Sequence, residues 1–256
     1  MSEDAPMFPS RISPALSTTA LTLLAIGSAI TPASATGADA DTTATITADW
    51  RGQSLIYRAG AGQANDLQIM DMPPSADVRR IAFNDEVPIR AGDNCTQPDP
   101  NDATRVVCEL PANADLPGGI RVLLGDGDDQ FFSDAPGVST VHAGAGDDEL
   151  HAHSARVVLG AGGDDMLMGG VVMDGGDGMD HLMGDYRDQY LWGGADNDHI
   201  EAFGGDDFVS AGSGDDHVDG GEGDDVLSGG RGDDMIVGGP GTDRVWGGPG
   251  ADEITE

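Results

Sequence analysis

The chain has 256 residues, with 46 acidic residues against 12 basic ones, all of them arginine, and a formal net charge of −34. That charge excludes nucleic acid or an anionic membrane surface as the main partner, because both would be repelled, and it favours cations. From residue 122 onward 31 of the acids stand beside only four arginines, Arg156, Arg187, Arg231 and Arg244, so this segment repels itself unless something positive neutralises it.

Residues 1–35 read as a targeting segment. Arg11 precedes the apolar run ALSTTALTLLAIGSAI, no charge occurs from Ile12 to Gly37, and Ala33-Ser34-Ala35 is a small-x-small cleavage site. This is the pattern of a secretory signal peptide and not of a spanning helix. Glu3 and Asp4 are out of place in such a leader; a start at Met7, giving MFPSR, fits better. No cysteine stands directly after the run, which argues against a lipid anchor, and no later stretch suits membrane insertion. The expected location is therefore secreted and extracellular.

Residues 36–122 are strand-like. ATITA, SLIYR, DLQIM, RRIAF, TRVVCEL and IRVLL are rich in β-branched and aliphatic residues and are separated by Gly, Pro, Asn and Asp clusters. GAGQANDLQ, from Gly60 to Gln68, resembles a worn copy of the repeat that follows. The region reads as an N-terminal β cap, either the first coils of the later structure or a small separate domain. Cys95 and Cys108 are expected to pair in an exported chain, closing a short loop worth about 3 kcal/mol. Free thiols are the alternative; a zinc site lacks ligands, since no histidine precedes His142.

Residues 123–256 are repetitive. From Gly175 to Thr255 the chain runs in unbroken nines, among them GGEGDDVLS and GGRGDDMIV; upstream copies start at Leu124, Ala143 and Gly160. The upstream starts lie 19 and 17 residues apart, with a further 15 to Gly175, so each second nonad there has been replaced by other sequence, such as SDAPGVSTVH. A flexible acidic linker is the plain reading of so much Gly and Asp. Position eight opposes it: Phe131, Leu150, Leu167, Leu182, Leu191, Ile200, Val209, Val218, Leu227, Ile236, Val245 and Ile254 are all apolar. With 38 % apolar residues overall, chance gives such a row about once in 10⁵.

The GGxGxD nonads resemble the RTX (repeats-in-toxin), or haemolysin-type, calcium-binding family over Leu124–Thr255. The resemblance implies an all-β fold, a right-handed parallel β-roll or β-helix solenoid. Six residues would form a turn and three a strand, and two nonads a coil. Glycines at positions one, two and four are expected to permit positive φ and to bring carbonyl oxygens inward. An oxygen cage with one carboxylate per turn suits calcium better than magnesium or zinc. The position-six carboxylates are Asp129, Asp148, Asp165, Asp180, Asp198, Asp207, Asp216, Asp225, Asp234, Asp243 and Asp252, with Gln189 breaking the series. Residues one coil apart stack, so Asp207, Asp225 and Asp243 should share one edge and the other eight the opposite edge. Sites shared between stacked turns then number at most seven and two. The 15-residue step places the site at Asp165 in question, and the turn at Gln189 should hold none.

Other features carry weaker expectations. His181, His199 and His217 form a position-seven column that suits a transition metal or a pH sensor, although Met235 and Glu253 continuing the column suggest simple tolerance. Tyr190, Trp192 and Phe208 should cluster on an outer face, as packing or as a grip for an extracellular glycan or protein partner. Enzymes of this family carry a catalytic domain before the repeats. Here that region is under ninety mature residues long, and HExxH and GxSxG are absent. A non-enzymatic protein is expected, with no pore-forming segment. The family's C-terminal export tail is also missing after the last nonad, which leaves an open strand edge there.

Overall fold

The computed structural model describes residues 43–49, 54–75, 78–111, 116 and 118–256. The leader expected over residues 1–35 lies outside the described residues. Among those that are described there is no helix, and therefore none long and apolar enough to cross a membrane.

The described residues form 23 strands in two sheets. The N-terminal strands are β1 (Ala44–Asp49), β2 (Ser54–Arg58), β3 (Asp66–Ser75), β4 (Val78–Asn84), β5 (Ile89–Arg90), β6 (Cys95–Thr96) and β7 (Arg105–Pro111). From there the chain alternates between the sheets. The first sheet receives β8 (Gly119–Asp126), β10 (Val138–Ala145), β12 (Val157–Gly162), β14 (Val172–Asp177), β16 (Tyr190–Ala195), β18 (Phe208–Ser213), β20 (Val226–Arg231) and β22 (Arg244–Trp246). The second receives β9 (Gln130–Ser133), β11 (Glu149–His151), β13 (Met166–Met168), β15 (His181–Asp185), β17 (His199–Phe203), β19 (His217–Asp219), β21 (Met235–Val237) and β23 (Glu253–Thr255). Each of these strands pairs in parallel with the strand one coil away, so the chain is a β-solenoid of stacked coils. Short strands suffice because every coil hands its backbone hydrogen bonds to the next.

The worn copy at Gly60–Gln68 is a coil of the same solenoid. Strand β2 pairs in parallel with β8, and β3 with β9, so that Leu67 lies beside Phe131. Beyond this coil the pairing turns antiparallel, with β1 flanking β2 and β4, β7 and β6 following β3 in order, except that the edge strand β5 pairs in parallel with β1. The parallel stack is thus covered at its N-terminal end by crossed-back strands. Within this cover Cys95 and Cys108 face each other on β6 and β7 and are joined by a disulfide, their Cα atoms 3.9 Å apart.

The core is two facing columns of side chains. In the second sheet, Leu67, Phe131, Leu150, Leu167, Leu182, Ile200, Val218 and Ile236 are buried. In the first sheet, Tyr57, Val122, Val141, Val158, Met173, Leu191, Val209 and Leu227 are buried and stand in register. The upstream stretches that lack a nonad therefore still supply one inward aliphatic per coil. At the last coil the inward row opens: Val245 is partly buried and Ile254 is 44 % exposed.

Candidate metal-binding turns

Two edges connect the sheets. On the first edge the eight six-residue turns that end in Asp129, Asp148, Asp165, Asp180, Asp198, Asp216, Asp234 and Asp252 lead from the first sheet into the second. On the other edge the links are irregular up to β14, and then become turns ending in Gln189, Asp207, Asp225 and Asp243. The eleven aspartates divide between the edges as the register argument expects.

Glycine serves two purposes in these turns. At position two, and at position four except at Gly241 and Gly250, it takes positive φ and allows close stacking: Gly144 has φ 134°, and a Cβ there would lie 1.7 Å from the carbonyl oxygen of Gly125 in the coil before. Position one behaves differently from the expectation, because the glycines there are not in the positive-φ region. What they supply is space. A Cβ on Gly175 would lie 2.1 Å from Asp180 Oδ2 and 2.7 Å from the carbonyl oxygen of Gly193 in the next coil. Gly160 and Gly193 show the same convergence of a carboxylate oxygen and a next-coil carbonyl.

Each position-six carboxylate is buried or half-buried, and its two oxygens have different fates. Oδ1 accepts the backbone N–H of position six in the preceding coil, an unbroken series from Asp129 N–H to Asp148 (2.7 Å) through to Asp234 N–H to Asp252 (3.2 Å). The second edge repeats this from Gln189 N–H to Asp207 and on to Asp243. Oδ2 is buried without any hydrogen-bond partner at Asp129, Asp148, Asp165, Asp180, Asp198, Asp216 and Asp234 on one edge, and at Asp207 and Asp225 on the other. Such an oxygen has given up water and gained nothing in return. The carboxyls respond by holding their protons. Burial, reinforced by neighbouring carboxylates at most rungs, pushes the pKa up to about 6 at Asp129, Asp165 and Asp216. It reaches about 7 at Asp148, Asp180, Asp198 and Asp207, and Asp225 and Asp234 are also raised.

The 15-residue step does not disturb Asp165. Its N–H donates to Asp180 Oδ1 at 2.9 Å, and its own Oδ2 is buried and unpaired like the rest. The missing residues come out of the opposite edge, where only residues 169–171 separate β13 from β14. Gln189 departs from the series. Its Nε2 donates to the carbonyl oxygen of Gly170 at 2.5 Å and its Oε1 accepts the Asp185 N–H, so this buried amide satisfies itself. Asn65 plays a similar part at the N-terminal end of the long edge. Its backbone N–H and Nδ2 both donate to Asp129 Oδ1, and the Tyr57 hydroxyl donates to Asn65 and to Asp85.

Position five is an element that reasoning from position six alone misses. Asp128, Asp147, Asp164, Asp188, Asp206, Asp215, Asp224 and Asp233, with Asn197, accept the N–H of position five in the following coil. The doubled GDD was its signal in the sequence. Positions five and six therefore bridge the coils in opposite directions, and both bring negative charge to the turns.

Comparison with family models identifies this geometry. Residues 136–154, 174–202, 183–218 and 219–254 match the RTX calcium-binding nonapeptide repeat in four copies. The repeats belong to the RTX calcium-binding family. Comparison with curated proteins and with solved structures finds no match. The RTX turns fit a hard divalent cation: each buried Oδ2 lacks a partner, carbonyl oxygens lie close by, and all the donors are oxygen.

Proposed function

We propose that this chain is a secreted calcium-binding protein whose β-roll folds and stiffens when calcium enters the RTX turns. Position-six carboxylates and glycine carbonyls of stacked turns would hold the ions, and the ions supply the positive charge that the segment lacks. The observation that carries this reading is the set of nine buried, unpartnered Oδ2 atoms, seven on one edge and two on the other. A core this narrow cannot offset both carboxylate repulsion and the ordering of so many glycines. Metal binding then becomes folding energy, in the millimolar range of extracellular modules. The leader read over residues 1–35 delivers the chain to a compartment that holds calcium at that level, and no catalytic step is assigned. Native mass spectrometry tests the reading directly: several bound calcium ions are expected, up to nine, and a spectrum with none at millimolar supply would refute it.

A second reading makes the stiffened roll a scaffold for extracellular surface or matrix contacts. Tyr190, Trp192 and Phe208 favour it, since their half-buried rings group on the first sheet with centroids 6.1–6.4 Å apart. Capture of envelope glycans or secreted proteins in calcium, lost when all three residues become alanine, is the outcome that supports it.

A further inference from the structure

The outer face of the second sheet carries a different set of ligands. Parallel pairing places His181 beside His199 and His199 beside His217 on β15, β17 and β19. Glu201 follows His199 by two residues and so shares its face. The His181 and His199 rings meet edge to face with centroids 4.7 Å apart, and His199 and His217 stack at the same distance. His199 Nε2 lies 3.0 Å from Glu201 Oε1. One ligand atom from each of His181, His199 and Glu201 falls within 4.8 Å of the other two. His181 Nε2 is moreover buried with no hydrogen-bond partner.

We propose that His181, His199 and Glu201 bind one borderline transition-metal ion, Zn²⁺ or Cu²⁺, at a site separate from the calcium turns. Metal bonds of about 2.0–2.1 Å place the ligands of a tetrahedral ion about 3.3 Å apart. The His199–Glu201 separation already meets this, and a small rotation of the half-exposed Glu201 and of the rings closes the rest. The ion answers the unpaired nitrogen of His181, much as calcium answers the unpaired oxygens of the turns. Selectivity follows from ligand type: imidazole nitrogen suits zinc and copper, whereas calcium selects oxygen. The net charge of −34 concentrates either cation near the surface. Cross-strand register sets two thioethers at the rim, with Met166 beside His181 and Met183 beside Glu201. Where the histidine column gives way to Met235, the set ends, so the site is local to these coils.

The test uses tag-free full chain kept in saturating calcium and titrated separately with Zn²⁺ and Cu²⁺ by calorimetry, with electron paramagnetic resonance on the copper form. One equivalent is expected to bind in at least one arm, and the copper spectrum should show coupling to two imidazole nitrogens. H181Q/H199Q should weaken binding at least tenfold and abolish that coupling, with the calcium count in native mass spectra unchanged. Glutamine is chosen because Gln130 occupies the same strand position without harm. Should the double variant lose calcium, E201Q on the rim replaces it, with a several-fold loss expected. Wild-type affinity in the informative variant, or no stoichiometric binding by the parent, overturns the site. The calcium count, read on the same samples, keeps this failure distinct from failure of the calcium reading.

Discussion

The two edges of the roll join the same pair of sheets, yet one is uniform and the other is not. On the uniform edge eight six-residue turns stack without interruption, each burying a carboxylate oxygen that finds no partner, save at the exposed last coil. The opposite edge begins with irregular links, passes through Gln189, whose amide meets its own hydrogen-bonding needs, and only then acquires three aspartate turns. Amides and variable loops close a coil without outside help, whereas stacked carboxylates need a cation or protons to offset their charge. On the proposed reading, dependence on calcium is concentrated on one edge and at the C-terminal end of the other.

Removing calcium should break both edges at once, and it is the largest effect expected. Circular dichroism in EDTA should lose most of its β signal and regain it on adding millimolar calcium; equal β-rich spectra would end the folding switch. Protons should act as a partial substitute. In the calcium-free roll Asp129, Asp148, Asp165, Asp180, Asp198, Asp207 and Asp216 titrate near 6 to 7 against an ordinary 3.8, because burial favours the neutral form. The folded state thus binds protons more tightly than the unfolded one. This stabilisation is complete below about 3.8 and is lost as pH rises through 6 to 7. In calcium-free buffer β-structure should increase from pH 8 to pH 5, whereas at millimolar calcium the change should be much smaller.

Single substitutions sharpen the contrast between the edges. D198N, in the middle of the long ladder, should raise the calcium midpoint of folding several-fold and remove one or two ions from the native mass spectrum. D225N, on the short edge, should cost no more than its own sites and shift the midpoint less. The smallest effect is a gain. Q189D places a carboxylate beneath Asp207 and should add one calcium to the count; an unchanged count would show that the neighbouring short link, and not the amide, sets the end of that ladder.

Much of this was legible because the repeat is strict. Glycine and aspartate set the register, the register exposed the apolar row at position eight, and counting by coils divided Asp207, Asp225 and Asp243 from the other eight aspartates. Other elements carried no such mark. Val122, Val141, Val158 and Met173 complete the first sheet's core from stretches without a Gly-Asp frame, so only strand pairing reveals their alignment with Tyr57 and Leu191. GAGQANDLQ was legible as a worn copy, but with Asn65 in place of the diagnostic carboxylate only the pairing of β2 with β8 and of β3 with β9 makes it a coil of the stack. The position-five bridges were present in each GDD, yet their direction depends on which neighbouring coil lies within reach.

The sequence by itself determined the period, the sign of the charge, the inward row at position eight and the number of stacked aspartate pairs on each edge. These are properties of spacing and residue type, and they survive any rigid rearrangement of the chain. Only the tertiary structure decided how the solenoid is closed at its N-terminal end by antiparallel strands, which oxygen of each carboxylate is left without a partner, and that His181, His199 and Glu201 converge. Those outcomes depend on contacts between coils, where a separation of fifteen or nineteen residues along the chain becomes a distance of about 4.8 Å.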